Sequence, residues 1–148
     1  MTQLLNMEVS EVRRRLQSTI SAARERAKGR RGQTAEAEQA FKTFLTEVAT
    51  PVFKQVANVL KTENYAFTLF TPRASLRLAS DHGRDDFIEI ALDATADPPG
   101  VVGRVSRTRG SRTLTDERPL RPGAKPDAVS EEDVLTFLLQ ALEPWLER

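Results

Sequence analysis

The chain has 148 residues, 39% of them apolar and 29% charged, which is the balance of one folded domain of ordinary size and not of a disordered chain. It has no cysteine, so disulfides, thiol catalysis and cysteine-ligated zinc are excluded. The formal net charge of +1 hides an uneven distribution: residues 1–32 hold eight Lys/Arg against three Glu, a net of +5, and residues 33–148 hold 14 basic and 18 acidic residues, a net of −4.

Residues 3–28 read as a helix, because Leu5, Val9, Val12, Leu16, Ile20, Ala23 and Ala27 recur at spacings of three and four. The stripe is as narrow as a coiled-coil seam and needs something to lie against. Its larger members, Leu5, Val9, Val12, Leu16 and Ile20, are the expected self-association seam. Lys28-Gly29-Arg30-Arg31-Gly32 is expected to break the helix and act as a hinge, since two glycines and a charge cluster weaken it. The domain organisation is therefore a basic amphipathic helical arm with its hinge (residues 1–32) before a single α+β domain (residues 33–148).

Thr34 is placed to cap a second helix carrying Ala37, Phe41, Phe44, Val48, Val52, Phe53, Val56 and Leu60. Thr50-Pro51 interrupts it and predicts either a kink at 49–51 or two helices in tandem. After Asn64 the period changes to two. Segments 65–71, 74–80, 86–92, 101–108 and 112–117 alternate as strands, with Leu76, Leu78, Ile88, Ile90 and Leu92 inward and Ser75, Arg77 and Glu89 outward. Their links are too short for crossover helices, so the sheet is expected to be an antiparallel meander of about five strands. Residues 118–129, with three prolines and a glycine, read as an extended surface loop. Ser130-Glu131-Glu132-Asp133 then starts a last helix with Ser as cap and acids on the positive end of its dipole. That helix is apolar nearly all round, and Pro144 is expected to bend or end it. The fold class is α+β, with helices at both ends of the chain packed mainly on one face of the sheet.

Two basic features invite an anionic partner. Arg13, Arg14, Arg15, Arg30 and Arg31 on the arm are of the type that contacts phosphate, and Arg104, Arg107, Arg109 and Arg112 gather on the hairpin that turns at Gly110. The competing readings are a solvated helix surface and an edge hairpin kept unpaired by charge. The hairpin also lacks the aromatic residues that stack on bases. The lone His82, in Ser80-Asp81-His82-Gly83-Arg84-Asp85-Asp86, has acids near it, but these residue types are also those of a solvated turn. The acids do not match a calcium loop, and one histidine cannot build a multi-His metal site. Gly100-Val101-Val102-Gly103 leads into a strand and not a helix, which argues against a phosphate cradle.

These observations lead us to expect a non-enzymatic protein-interaction or assembly module without cofactor or metal, forming a homo-oligomer through the N-terminal helix. The alternative is a nucleic-acid-binding accessory protein using the arm and the Arg104–Arg112 hairpin. No stretch approaches the ~20 apolar residues of a membrane span. Residues 1–15 carry their charges after the apolar residues, the reverse of a secretory signal. The expected location is the bacterial cytoplasm.

Overall fold

The computed structural model describes residues 7–147, so Leu5 of the expected seam lies outside the described residues. The chain divides into two compact units, Met1–Ala35 and Glu36–Arg148. The elements are α1 (Val9–Phe44), a π-helical turn (Leu45–Ala49), α2 (Thr50–Thr62), β1 (Phe67–Phe70), β2 (Leu76–Ser80), β3 (Phe87–Asp93), β4 (Gly100–Arg109), β5 (Arg112–Pro119), a short 3₁₀ turn (Pro126–Ala128) and α3 (Glu131–Leu146). Among the described residues no helix is long and apolar enough to cross a membrane.

The break expected at residues 28–32 does not form. α1 runs through Gly29 and Gly32 without interruption, and Thr34 lies inside it instead of capping a second helix. The reason is one of magnitude. Each glycine costs a helix about 1 kcal/mol relative to alanine, and the Arg, Lys, Gln, Ala and Glu residues around them are among the better helix formers. A side chain at either position would meet nothing within 4 Å. Replacing Gly29 or Gly32 by alanine is therefore expected to raise helicity and to stabilise the arm by about 0.5–1 kcal/mol per site, read by circular dichroism.

At Pro51 the helix neither stops nor restarts from a threonine cap. Thr50 is itself helical, with φ −59° and ψ −45°, and its N–H reaches back five residues to the carbonyl of Leu45. The residue preceding α2 is Ala49, which offers no side-chain cap, and Pro51 sits in the first turn of α2. Proline has no N–H to give, and the widened turn just before it absorbs the mismatch within a continuing helical path. α2 ends in a Schellman arrangement: Asn64 takes φ +68°, its N–H donates to Lys61 O at 3.1 Å, and the Tyr65 N–H donates to Leu60 O at 2.8 Å. The chain leaves this cap directly into the sheet.

The sheet is a five-stranded antiparallel meander in the order β1-β2-β3-β4-β5. Its core face carries Leu76, Leu78, Ile88, Ile90 and Val101, all at most 2% exposed. Against it pack Phe41 and Phe44 of α1, Phe53 and Leu60 of α2, and Val134, Phe137, Leu138, Ala141, Leu142 and Trp145 of α3. α3 opens with a reciprocal capping box: the Ser130 hydroxyl accepts from the Asp133 N–H, and the Asp133 carboxylate accepts from the Ser130 N–H. Pro144 does not end this helix, which continues to Leu146, and Leu139 and Leu146 stay exposed on its far side. The loop after β5 is less extended than its composition predicts, because Pro126 is buried within the 3₁₀ turn.

The second face of the sheet departs from the expectation. Glu89 and Ser75, read as outward and solvated, are only 7% and 8% exposed. The strand register explains this. Arg77, Glu89, Arg104 and Glu117 stand opposite one another on four successive strands. Arg77 pairs with Glu89 at 3.2 Å and Arg104 with Glu117 at 2.8 Å, forming a ladder of alternating charge. The Ser75 hydroxyl donates to Glu89 at 2.8 Å, and the Arg77 guanidinium lies 3.9 Å from the centre of the Phe87 ring. The long side chains thus cover the short ones beside them.

Candidate interaction surfaces

Within the arm, helical geometry brings Val9, Val12, Leu16 and Ile20 onto one stripe, and none of them is covered: they are 75%, 48%, 56% and 38% exposed. Met7, just before the helix, is also exposed. The basic residues are spread around the remaining surface. Arg14 and Arg15 both pair with Glu11, at 2.6 and 2.9 Å, one turn away on the same helix. Among the described residues Arg13, Arg30 and Arg31 make no ion pair with the protein.

The hairpin of β4 and β5 divides its four arginines between two faces. Arg109 stands opposite Arg112 and Arg107 opposite Leu114, so these three guanidinium groups share one face near the tip. Arg104 points to the other face and is held by Glu117. Gly110 has φ +65°, as the first central position of a two-residue hairpin turn requires. Arg118, further down β5, lies 5.4 Å from the centre of the Phe137 ring and so belongs to the core margin.

The polar loop between β2 and β3 is tied into the sheet. Asp86 is buried and accepts a hydrogen bond from the Thr108 N–H, while the Ser106 hydroxyl donates to Asp85 O at 2.6 Å. The Thr68 hydroxyl donates to Asp81 at 2.7 Å. His82 is exposed, and only its backbone N–H has a partner, the Ser80 hydroxyl. The Asp81 and Asp86 carboxylates and the Asp85 carbonyl thus fasten this loop to β1 and β4. An Asp86→Ala change is expected to cost about 2 kcal/mol, because it takes the charged acceptor from the half-buried Thr108 N–H; urea denaturation would read it.

One cleft in the body, of about 700 Å³, was not foreseen from sequence. It is bounded by Phe41, Lys42 and Leu45 on the helical side and by Arg73, Ser75 and Leu92 on the sheet side. Arg73 has φ +52°, an uncommon conformation for a residue with a side chain. Neither Lys42 nor Arg73 makes an ion pair among the described residues.

The pairing of Arg77 with Glu89 and the joining of the cleft residues were not legible in the sequence, because they depend on strand register and on how helix and loop meet. No known protein family, curated protein or solved structure matches this chain.

Proposed function

We propose that this protein is a non-enzymatic interaction module that self-associates through its N-terminal helix. The observation that carries this reading is the exposed stripe of Val9, Val12, Leu16 and Ile20 on an uninterrupted helix. Four large apolar side chains in register along one helix are more than scattered surface hydrophobics, and burying each yields about 1.5–3 kcal/mol at full coverage. Part of each side chain is already covered on its own helix, so a pair of such stripes gains less than the full-coverage total; the gain exceeds the lower estimates for the loss of rigid-body freedom on association, about 4 kcal/mol, but not the upper ones. A moderate, concentration-dependent association follows. The acids at 81–86 support the non-enzymatic reading, since Asp86 and Asp81 serve as structural acceptors.

Sedimentation of the full chain across a concentration series tests this. The parent is expected to dimerise, and Leu16→Glu to weaken the dimer at least tenfold without changing the thermal unfolding of the body. A parent that stays monomeric at high concentration sinks the reading.

A second reading, nucleic-acid binding, is favoured by the shared face of Arg107, Arg109 and Arg112 and by the basic stretch from Arg24 to Arg31. If it holds, affinity for a duplex or a single strand falls steeply between low and moderate salt as counterions are released. Salt-independent or absent binding eliminates it.

A further inference from the structure

The seam has a symmetry that specifies how two copies meet. Counted outward from Leu16, seam residues occur four, seven and eleven positions away in both directions: Val12 and Ile20, Val9 and Ala23, Leu5 and Ala27. The structure makes the span from Val9 to Ala27 part of one continuous helix, so this spacing describes one face of a single helix. Eleven residues in three turns is 3.67 per turn, close to the natural period of the α-helix, so the stripe runs nearly straight along the helix.

Resting on the self-association reading above, we infer that the arm pairs antiparallel with a second copy of itself, with the two-fold axis at Leu16. In such a pair each residue lies level with the residue equally far on the other side of Leu16 in its partner. Leu16 then meets Leu16 of the second copy, Val12 meets Ile20 and Val9 meets Ala23. Each of these layers is filled, and the outer one sets Val9 against the smaller Ala23, as interdigitated packing favours. The surface is self-complementary, as a two-fold interface must be.

The parallel arrangement lacks the pairing of larger with smaller side chains. It stacks Ala23 on Ala23 and Ala27 on Ala27, leaving two layers with only methyl groups. It also sets residues 24–31, with five Lys/Arg and one Glu, level with the same residues of the second copy. The antiparallel pair keeps the two basic stretches apart and sets Arg24 level with Glu8 of the second copy. Size and charge therefore select the same orientation.

The absence of cysteine makes the test direct. Val12→Cys and Ile20→Cys full-length proteins are mixed and oxidised, and each is also oxidised alone. In the antiparallel pair positions 12 and 20 of opposite chains are level, whereas position 12 lies about 12 Å along the axis from its own copy, beyond disulfide reach. The mixture is expected to yield at least tenfold more cross-linked dimer than Val12→Cys alone, and Leu16→Cys to cross-link with itself. Efficient self-linking of Val12→Cys overturns the antiparallel orientation while leaving self-association through the helix intact. A sedimenting dimer that cross-links at none of these positions, or a monomer, overturns both.

Discussion

Replacing Gly103 by alanine is expected to destabilise the body by about 1–3 kcal/mol, and by valine by more, because β4 and α3 meet with no room for a side chain between them. A Cβ at position 103 would stand 2.3 Å from Phe137 Cε1 and Cζ, well inside van der Waals contact. Phe137 cannot simply turn away. It is 4% exposed and packed within the core cluster, with Arg118 5.4 Å from its ring centre. Gly103 also lies between Ile90 on β3 and Arg118 on β5, in the middle of the sheet, so the strand cannot retreat without breaking two ladders. A loss of this size is a large part of the 5–15 kcal/mol that holds most domains together. Thermal and urea unfolding of Gly103→Ala and Gly103→Val would show it. The diagnostic result is non-additivity. Phe137→Ala alone should cost about 3–5 kcal/mol by leaving a cavity, but in the Gly103→Val background the new side chain occupies part of that cavity, and the two penalties should fall short of their sum by at least 1 kcal/mol. Strict additivity would mean that the ring and the strand do not meet as described.

This contact also shows where sequence patterning stops being informative. Alternation in residues 65–117 was enough to place five strands, and their short links were enough to make the sheet a meander, because both rest on local rules of pleat and chain reach. The same rules placed Leu76, Leu78, Ile88 and Ile90 inward. What alternation does not carry is register, and register decides that Glu89 stands between Arg77 and Arg104 and that Gly103 faces a helix some thirty residues further on. Without it Glu89 reads only as an outward acid, and nothing marks Gly103 as a position that must stay without a side chain. The helix errors have a different origin. Gly29 and Gly32 are true punctuation in isolation, but each acts with a strength of about 1 kcal/mol, and the good helix formers around them outweigh it; before Pro51 the α-helix is interrupted as expected, by a π-helical turn and not by a threonine cap. The seam of the arm was legible as a stripe from its spacing alone.

Glu89→Ala is expected to cost about 3 kcal/mol, whereas Glu117→Ala, on the same ladder, should cost less than about 1 kcal/mol. The two glutamates have the same chemistry and equivalent arginine partners, and they differ in access to water. The Glu89 side chain is 9% exposed and that of Arg77 31%; Glu117 and Arg104 are 51% and 43% exposed. Removing Glu117 lets Arg104 return to solvent. Removing Glu89 strands the Arg77 guanidinium, whose Nε is buried without a partner, above the Phe87 ring, and takes one of two acceptors from the Ser75 hydroxyl, which retains Pro72 O. The desolvation already suffered by Arg77 is then uncompensated. Two further variants separate the charge from the shape. Glu89→Gln keeps an acceptor for Ser75 and Arg77 and should recover about half of the loss, since hydrogen bonds to neutral acceptors are weaker than those to carboxylates. The double replacement Arg77→Met with Glu89→Leu removes both charges at similar volume and should be more stable than Glu89→Ala alone, because no buried ion is left behind. If Glu89→Ala and Glu117→Ala prove equally mild in urea denaturation, the ladder is a surface ornament throughout and the burial of Glu89 contributes nothing to the fold.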